Sequence, residues 1–256
     1  MGGILDELIR KSPELQWACI VIMVCLPVEM LLGTGHKVSW AERAGNLGAM
    51  LVNFVAGVAL VSLVLRPSFS ERLLDYPDTP RWAVLGNPVL YAVVVLFLVD
   101  GLYYVYHRLQ HTVPLLWHIH KLHHTDPAVN ITTARRTHFL ERPIQLIFLV
   151  VPVLWLLGGN DDGFVWMAIL GPGFLYFTHL DARVPLGPLT AVVVGPQYHR
   201  IHHACIADTE HANFAQAFPL FDILGGTYQR PAHGEYPTTG VAGCDTAASR
   251  WRPLLW

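Results

Sequence analysis

Histidine is the residue type whose number and spacing carry chemistry in this sequence. Fourteen are present, and eight fall into three boxes: His107-Arg-Leu-Gln-His111, His120-Lys-Leu-His123-His124 and His199-Arg-Ile-His202-His203. Residues three and four apart on a helix share a face, so each box offers two or three imidazoles to one point. Eight imidazoles exceed the demand of one tetrahedral ion and suit two. Imidazole binds iron, zinc, copper and nickel alike, so ligand type leaves the metal open. No Glu or Asp stands between the histidines of any box. A zinc hydrolase would place a carboxylate base there, as in HExxH, so its absence counts against hydrolysis. A two-histidine haem site needs far fewer. A membrane metal-binding or transport protein, the alternative from another class, would set polar ligands at mid-bilayer or in a loose histidine-rich loop. His118 lies about 200° around the helix from His120, on the wrong face. His118, His36 and His233 therefore read as ordinary hydrogen-bonded histidines, and His211 as a neighbour of the site.

The elements that must position these boxes are apolar. Of the 256 residues, 53% are hydrophobic and 14% charged, with a mean hydropathy of +0.39. Soluble domains carry roughly a quarter charged residues, so this is the composition of a membrane protein. Apolar segments run over Trp17–Leu32, Asn46–Leu65 and Val89–Tyr106, followed by two shorter runs, Pro143–Leu157 and Phe164–Phe177, separated by GGNDDG. A spanning helix needs about 20 residues, so the last two read as a hairpin that enters the bilayer and returns. Basic residues in His107–Arg142 and after Thr178 put both regions on the cytoplasmic side, although Arg66, Arg72 and Arg81 on the far side weaken that rule. Asp100 sits inside an apolar segment, seven residues and two helical turns before His107. An acid there is costly and usually functional, and the spacing suggests that it accepts the free ring N–H of a ligating histidine.

Other readings are excluded or weak. The formal net charge of −2 and the lack of a basic run set nucleic acid aside. Cys19, Cys25, Cys205 and Cys244 form neither a CxxC pair nor a disulfide framework. The first residues lack a signal-peptide core, and Asp6 spoils a myristoylation start. Arg135 and Arg136 read as lipid-headgroup anchors or as part of the charge asymmetry.

At these residues the sequence resembles the fatty acid hydroxylase / sterol desaturase superfamily. The resemblance runs through DGLYYVYHRLQH (Asp100–His111), WHIHKLHHTD (Trp117–Asp126), RRTHFLERP (Arg135–Pro143), FTHLD (Phe177–Asp181), YHRIHH (Tyr198–His203) and HANFAQAFPLFDILGGTY (His211–Tyr228). It implies that the eight box histidines are metal ligands. By resemblance alone, His138, in an HPxE-like stretch with Phe139 in place of proline, and His179 join them. Asn213 and Asp222, in the trailing element, are candidates to support the ligands, as Asp100 is. The implied cofactor is a pair of iron ions, with zinc able to occupy the same ligands in recombinant protein. O2 is the implied co-substrate. The implied electron donor is a separate protein of cytochrome b5, ferredoxin or reductase type.

The expected fold is all-α: a single membrane-embedded domain over 1–256, with about four spans or half-spans and a cytosolic helical cap holding two metals. Its catalytic region would cover about 95–230, with an irregular tail over 231–256. The expected enzyme is a non-haem di-iron oxidoreductase, a monooxygenase that hydroxylates an unactivated C–H bond of a sterol or fatty-acyl lipid. A desaturase using the same centre is the nearest alternative. The expected location is the bacterial inner membrane or the endoplasmic reticulum, with the boxes facing the cytoplasm.

Overall fold

The computed structural model describes residues 13–35, 38–64, 87–153, 171–205, 211–244 and 246–255. Among these residues the protein is all-helical, and the only extended pairing is an isolated bridge between Ala204 and Thr239. Helix α1 covers Pro13–Leu32 and contains Pro27. Helix α2 covers Trp40–Val64. Its start is a capping box: Ser39 Oγ accepts the Glu42 N–H, and Glu42 accepts the Ser39 N–H in return.

Helix α3, Pro88–Thr112, carries the first histidine box in its last turns. Asn87 caps it by accepting the N–H groups of Val89 and Leu90, and Pro88 supplies the fixed φ of a first helical residue. The helix stops because Val113 precedes Pro114. A residue before proline is pushed out of the α region, and Val113 is extended at φ −97, ψ 116. Pro114 then starts helix α4, Pro114–His124, which packs on α3. One proline thus folds the second box back against the first.

The chain continues through a 3-10 turn, Thr133–Arg135, into helix α5, Glu141–Gln145, and a π turn, Leu146–Val150. Helix α6 covers 171–178. After a 3-10 turn at Gly187–Ala191, helix α7, Pro196–His202, carries the third box. Helix α8, Leu220–Gly225, ends at Gly226, whose φ of 71° is the left-handed conformation that glycine adopts freely. Gly225 is needed for a different reason: a Cβ there would collide with the Tyr104 hydroxyl of α3. Helix α9, Ala247–Leu255, lies in the segment expected to be irregular and packs on α4.

Among the described residues, only Val89–Thr112 is long and apolar enough to cross a membrane. Just 33% of its most apolar stretch is buried in the protein, so Val89, Val93, Phe97 and Val105 face outward. The GGNDDG turn and most of the loop Arg66–Pro88 lie outside the described residues.

Buried polar side chains, together with apolar clusters such as Ala18, Ile131, Ala134 and Tyr176, join the helices at the level of the boxes. Glu29 of α1 is buried. One of its oxygens accepts the backbone N–H groups of Ile131 and Asp181, and the other accepts Arg43 Nη1 at 2.9 Å. Asn46 of α2 donates to Asp126 and Thr132. Arg136 is also buried, which corrects its reading as a headgroup anchor. It donates to the Leu122 carbonyl, Asn46 Oδ1, Thr125 Oγ1 and the Arg250 carbonyl, and its guanidinium stacks 3.7 Å from the Trp251 ring. The C-terminal helix is thereby fastened to the loop behind the second box.

Removing one member of such a knot strands the others. Glu29→Ala leaves a buried guanidinium and two backbone N–H groups short of an acceptor, and is expected to cost about 3–5 kcal/mol. Glu29→Gln, which keeps an acceptor, is expected to cost less. Denaturant unfolding in detergent micelles measures both, and equal stabilities for Glu29→Ala and wild type would show that the knot contributes nothing.

Candidate metal centre

The three boxes meet, and the second and third are each divided. His107, His111, His120, His124 and His202 form one cluster, and His123, His179, His199 and His203 form a second; within each cluster one ring nitrogen per residue lies within 4.8 Å of all the others. All nine are buried. The expectation that a box converges on one point is therefore corrected for the second and third boxes, whereas His107 and His111 stay together in the first cluster. On a helix, residues i and i+4 differ by about 40°, whereas i+3 lies about 60° to the other side of i. His120 and His124 accordingly stay together, and His123 turns into the second cluster. The third box mirrors this: His199 and His203 stay together, and His202 turns into the first. The two clusters adjoin where the His124 and His203 rings stack, with centroids 4.2 Å apart.

The ring nitrogens face one another. His120 Nε2 lies 3.2 Å from the Nε2 atoms of both His107 and His124. His179 Nε2 lies 3.0 Å from His123 Nε2 and 3.2 Å from His199 Nε2, and His203 Nε2 lies 3.1 Å from His199 Nε2. These contacts are not ordinary hydrogen bonds. His107 Nδ1 donates to the Phe214 carbonyl at 2.7 Å, and His120 Nδ1 donates to Glu141 at 3.2 Å. His202 Nδ1 donates to the Ala212 carbonyl at 2.7 Å, and His179 Nδ1 to the Leu175 carbonyl at 2.7 Å. A neutral imidazole whose Nδ1 carries the proton has a bare lone pair at Nε2. Lone pairs about 3 Å apart repel unless a cation lies between them, and neighbouring ligands on bonds of about 2.1 Å are about 3 Å apart. The residues present fit a metal ion in each cluster.

Electrostatics agree. Burial, reinforced by neighbouring histidines, drives His123, His124, His199 and His203 well below the usual imidazole range. Burial lowers His202 to about 3. Metal ligation requires the neutral ring. His111 Nε2 and His202 Nε2, both in the first cluster, are buried with no hydrogen-bond partner. Buried polar atoms normally find partners, so orphans concentrated in one place point to an ion.

One loop stands behind the first cluster. The carbonyls of Ala212 and Phe214, which orient His202 and His107, flank Asn213. Asn213 takes a left-handed φ of 62°, and its side chain holds Tyr198 and Gln229. Asp222 accepts the N–H groups of Phe214 and Ala215 and the hydroxyls of Tyr198 and Thr227. Asp100 accepts the N–H groups of Gln216, Ala217 and Phe218. This revises the role expected for Asp100: two helical turns are about 10 Å, too far for its carboxylate to meet the His107 ring. Asp100, Asn213 and Asp222 all act on the loop, and the loop acts on the histidines.

His138 lies outside both clusters. Its Nδ1 accepts the Leu140 N–H, its carbonyl accepts Asn53, and its ring lies against Phe139. The residue of that stretch which reaches the site is Glu141, which sequence reasoning passed over although it stands in the same HFLE run. His118, His211 and His233 are exposed.

Two contrasts follow for metal content per chain, measured by mass spectrometry of anaerobically purified protein. His123→Ala and His202→Ala are each expected to lose metal, whereas His138→Ala is expected to retain it. Asp100→Ala leaves three backbone N–H groups without their acceptor and is expected to weaken metal retention about 10–100-fold. Wild-type retention in Asp100→Ala would uncouple the loop from the centre.

Comparison with known proteins bears on the same region. The sequence profile described as fatty acid hydroxylase matches residues 92–227, more than half of the chain. The ornithine lipid hydroxylase OlsE of Rhizobium tropici is 28% identical over 250 residues, covering 91% of this chain and 73% of the relative. The alkylglycerol monooxygenase of Homo sapiens is 29% identical over 212 residues, covering 75% of this chain and 44% of the relative. That of Xenopus tropicalis is 29% identical over 132 residues, covering 51% and 28%. The chain thus spans less than half the length of these two monooxygenases. No solved structure matches. On the span and position of the profile match, which takes in all three boxes and the loop behind them, the chain belongs to the fatty acid hydroxylase family, within the fatty acid hydroxylase / sterol desaturase superfamily.

Proposed function

We propose that this oxidoreductase hydroxylates an unactivated C–H bond in the acyl or alkyl chain of a membrane lipid, using O2 and two iron ions. The observation that carries the reading is the pair of adjoining clusters of buried imidazoles with no carboxylate as a member of either. The first ion would be held by His107, His111, His120, His124 and His202, and the second by His123, His179, His199 and His203. When bound, the irons supply the reductive activation of O2. Electrons come from a separate donor of cytochrome b5, ferredoxin or reductase type. The similarity to an ornithine lipid hydroxylase and to alkylglycerol monooxygenases favours a polar lipid's chain over a sterol.

The protein's own contribution is placement and dryness. Trp117 packs on His111 and His124, with ring centroids 5.0 and 5.5 Å apart. Tyr103 lies 5.1 Å from His107, and Phe214 lies 5.6 Å from His107 and 5.2 Å from His111. These rings wall the first cluster against water, so the reacting carbon meets the centre without bulk solvent. The tightly fixed rings hold ligand geometry, and no side chain needs to act as a general base.

The arrangement in the membrane belongs to the same proposal. The whole of 1–256 acts as one membrane-embedded unit, with α3 spanning, about three further spans or half-spans, and a cytosolic helical cap. His107 and His111 stand on the inner face of α3 near the end of the span, so the metals would lie at the membrane's cytoplasmic edge, within reach of a lipid chain that enters there. The membrane is a bacterial inner membrane or the endoplasmic reticulum.

Expression in a lipid-producing host under 18O2, with lipid mass spectrometry, tests the activity. The expected outcome is a lipid heavier by one 18O atom, dependent on intact His123 and His202. An unlabelled double bond would make the enzyme a desaturase, and oxygen derived from water would overturn the oxygenase reading.

A further inference from the structure

We infer that Glu141 is a positioning residue for one metal of the pair and makes the five-histidine pocket the stronger site; the inference rests on the two-metal reading above. Four of the nine clustered rings have an Nδ1 hydrogen bond. Three of these go to neutral carbonyls, those of Phe214, Ala212 and Leu175. Among the described residues, only His120 backs onto a carboxylate, Glu141 Oε1 at 3.2 Å. A carboxylate behind a ligating imidazole fixes its tautomer and raises its donor strength, and a charged acceptor does so more than a carbonyl. His120 is also the ring whose Nε2 faces both His107 and His124, so it sits at the centre of its cluster.

The two pockets differ in support as well as in number. In the five-histidine pocket, His107, His120 and His202 are held from behind. In the four-histidine pocket only His179 is, and the Nδ1 atoms of His123, His199 and His203 have no partner. The structure therefore builds one firmly oriented site beside one loosely oriented site.

Glu141 is itself held in a way that a purely structural acid would not need. It stands in the first turn of α5, where a helix favours negative charge, yet it is only 2% exposed. Gln110, adjacent to His111 on α3, donates to the same Oε1 and also to the Tyr106 hydroxyl at 3.0 Å. Glu141 Oε2 is buried with no hydrogen-bond partner, so the fold gains nothing from that oxygen. A half-satisfied buried carboxylate is costly, and its one directed contact on a ring of either cluster is the hydrogen bond from His120.

Anaerobic competition of the apoprotein with a chelator for Fe(II), with Co(II) as a second probe, reads both pockets. Wild type is expected to show two binding steps. Glu141→Gln is expected to weaken one step about 10–100-fold, leave the other unchanged and preserve the thermal midpoint of the apoprotein. In a His199→Ala background, which disables the four-histidine pocket, Glu141→Gln should weaken the surviving ion. In a His120→Ala background, where Glu141 has no ring to orient, it should cost nothing further. Glu141→Asp, which keeps the charge with a shorter reach, should lie between Glu141→Gln and wild type, and it is read the same way if Glu141→Gln fails to fold. No change in either step, or an equal loss in both with a lower apoprotein midpoint, would overturn the assignment. A wild-type chain that takes up a single ion would overturn the two-metal reading instead, and Glu141 is then judged on that ion alone.

Discussion

The structure depends on holding the lone pairs of nine buried imidazoles toward two points. Without a cation this arrangement is unfavourable twice over. The rings lose their hydration, and their unprotonated nitrogens face each other at 3.0–3.2 Å. A metal reverses the sign of both contributions, because the same lone pairs then bind one centre. The surrounding protein must therefore be stable enough to hold the rings in place while they contribute little or nothing themselves. That requirement explains why polar residues such as Glu29, Arg43, Asn46, Asp126 and Arg136 are buried at the level of the boxes. Aliphatic packing is nondirectional, whereas a network of paired charges and amides fixes orientation.

The same constraint explains the loop between α7 and α8. A ring is fixed by its far nitrogen, so each well-oriented histidine needs an acceptor behind it. The 212–214 segment supplies two such acceptors within three residues, which forces an unusual backbone and places Asn213 in the left-handed region. Asn and Asp tolerate that conformation better than other side chains. Asp222 and Asp100 then bind the free N–H groups of the strained segment, one acid from a short helix and one from the apolar helix. Burial pushes the Asp222 carboxyl up, and its four donors oppose that shift.

Much of this was legible in the sequence, and the part that was not has physical reasons. The helical class, the box histidines and His179 follow from spacing and resemblance. The importance of Asp100, Asn213 and Asp222 was visible too, but their targets were not. A carboxylate's partners depend on where a loop 116–118 residues away returns, and periodicity carries no information about that. The division of the second and third boxes between two clusters was hidden because i, i+3 and i+4 count as one face in a pattern, although about 100° separates i+3 from i+4. His138 and Glu141 stand three residues apart. Resemblance pointed to the histidine, whereas the chain turns at Leu140 into a helix whose first residue faces His120. The helix in the tail, Ala247–Leu255, was concealed by low apolarity: Trp251 packs on a guanidinium instead of on an aliphatic core.

The apolar helix α3 links these two kinds of organisation. Its outer face is Val, Leu and Phe, and its inner face carries Asp100, Tyr104, His107, Gln110 and His111 in succession. A lipid chain moving along the outside thus runs parallel to a column of polar groups inside, separated from it by the thickness of one helix. The column ends where Pro114 breaks the helix, and beyond the break α4 folds back and closes the first cluster. Chain direction, helix termination and ligand convergence are therefore set at one proline. Because Val113 N–H still bonds to the Leu109 carbonyl, the last turn that carries His111 stays helical up to the break. A frayed end would let His111 swing away from His107 and His120, so the sharp stop is as important to the centre as the histidines that precede it.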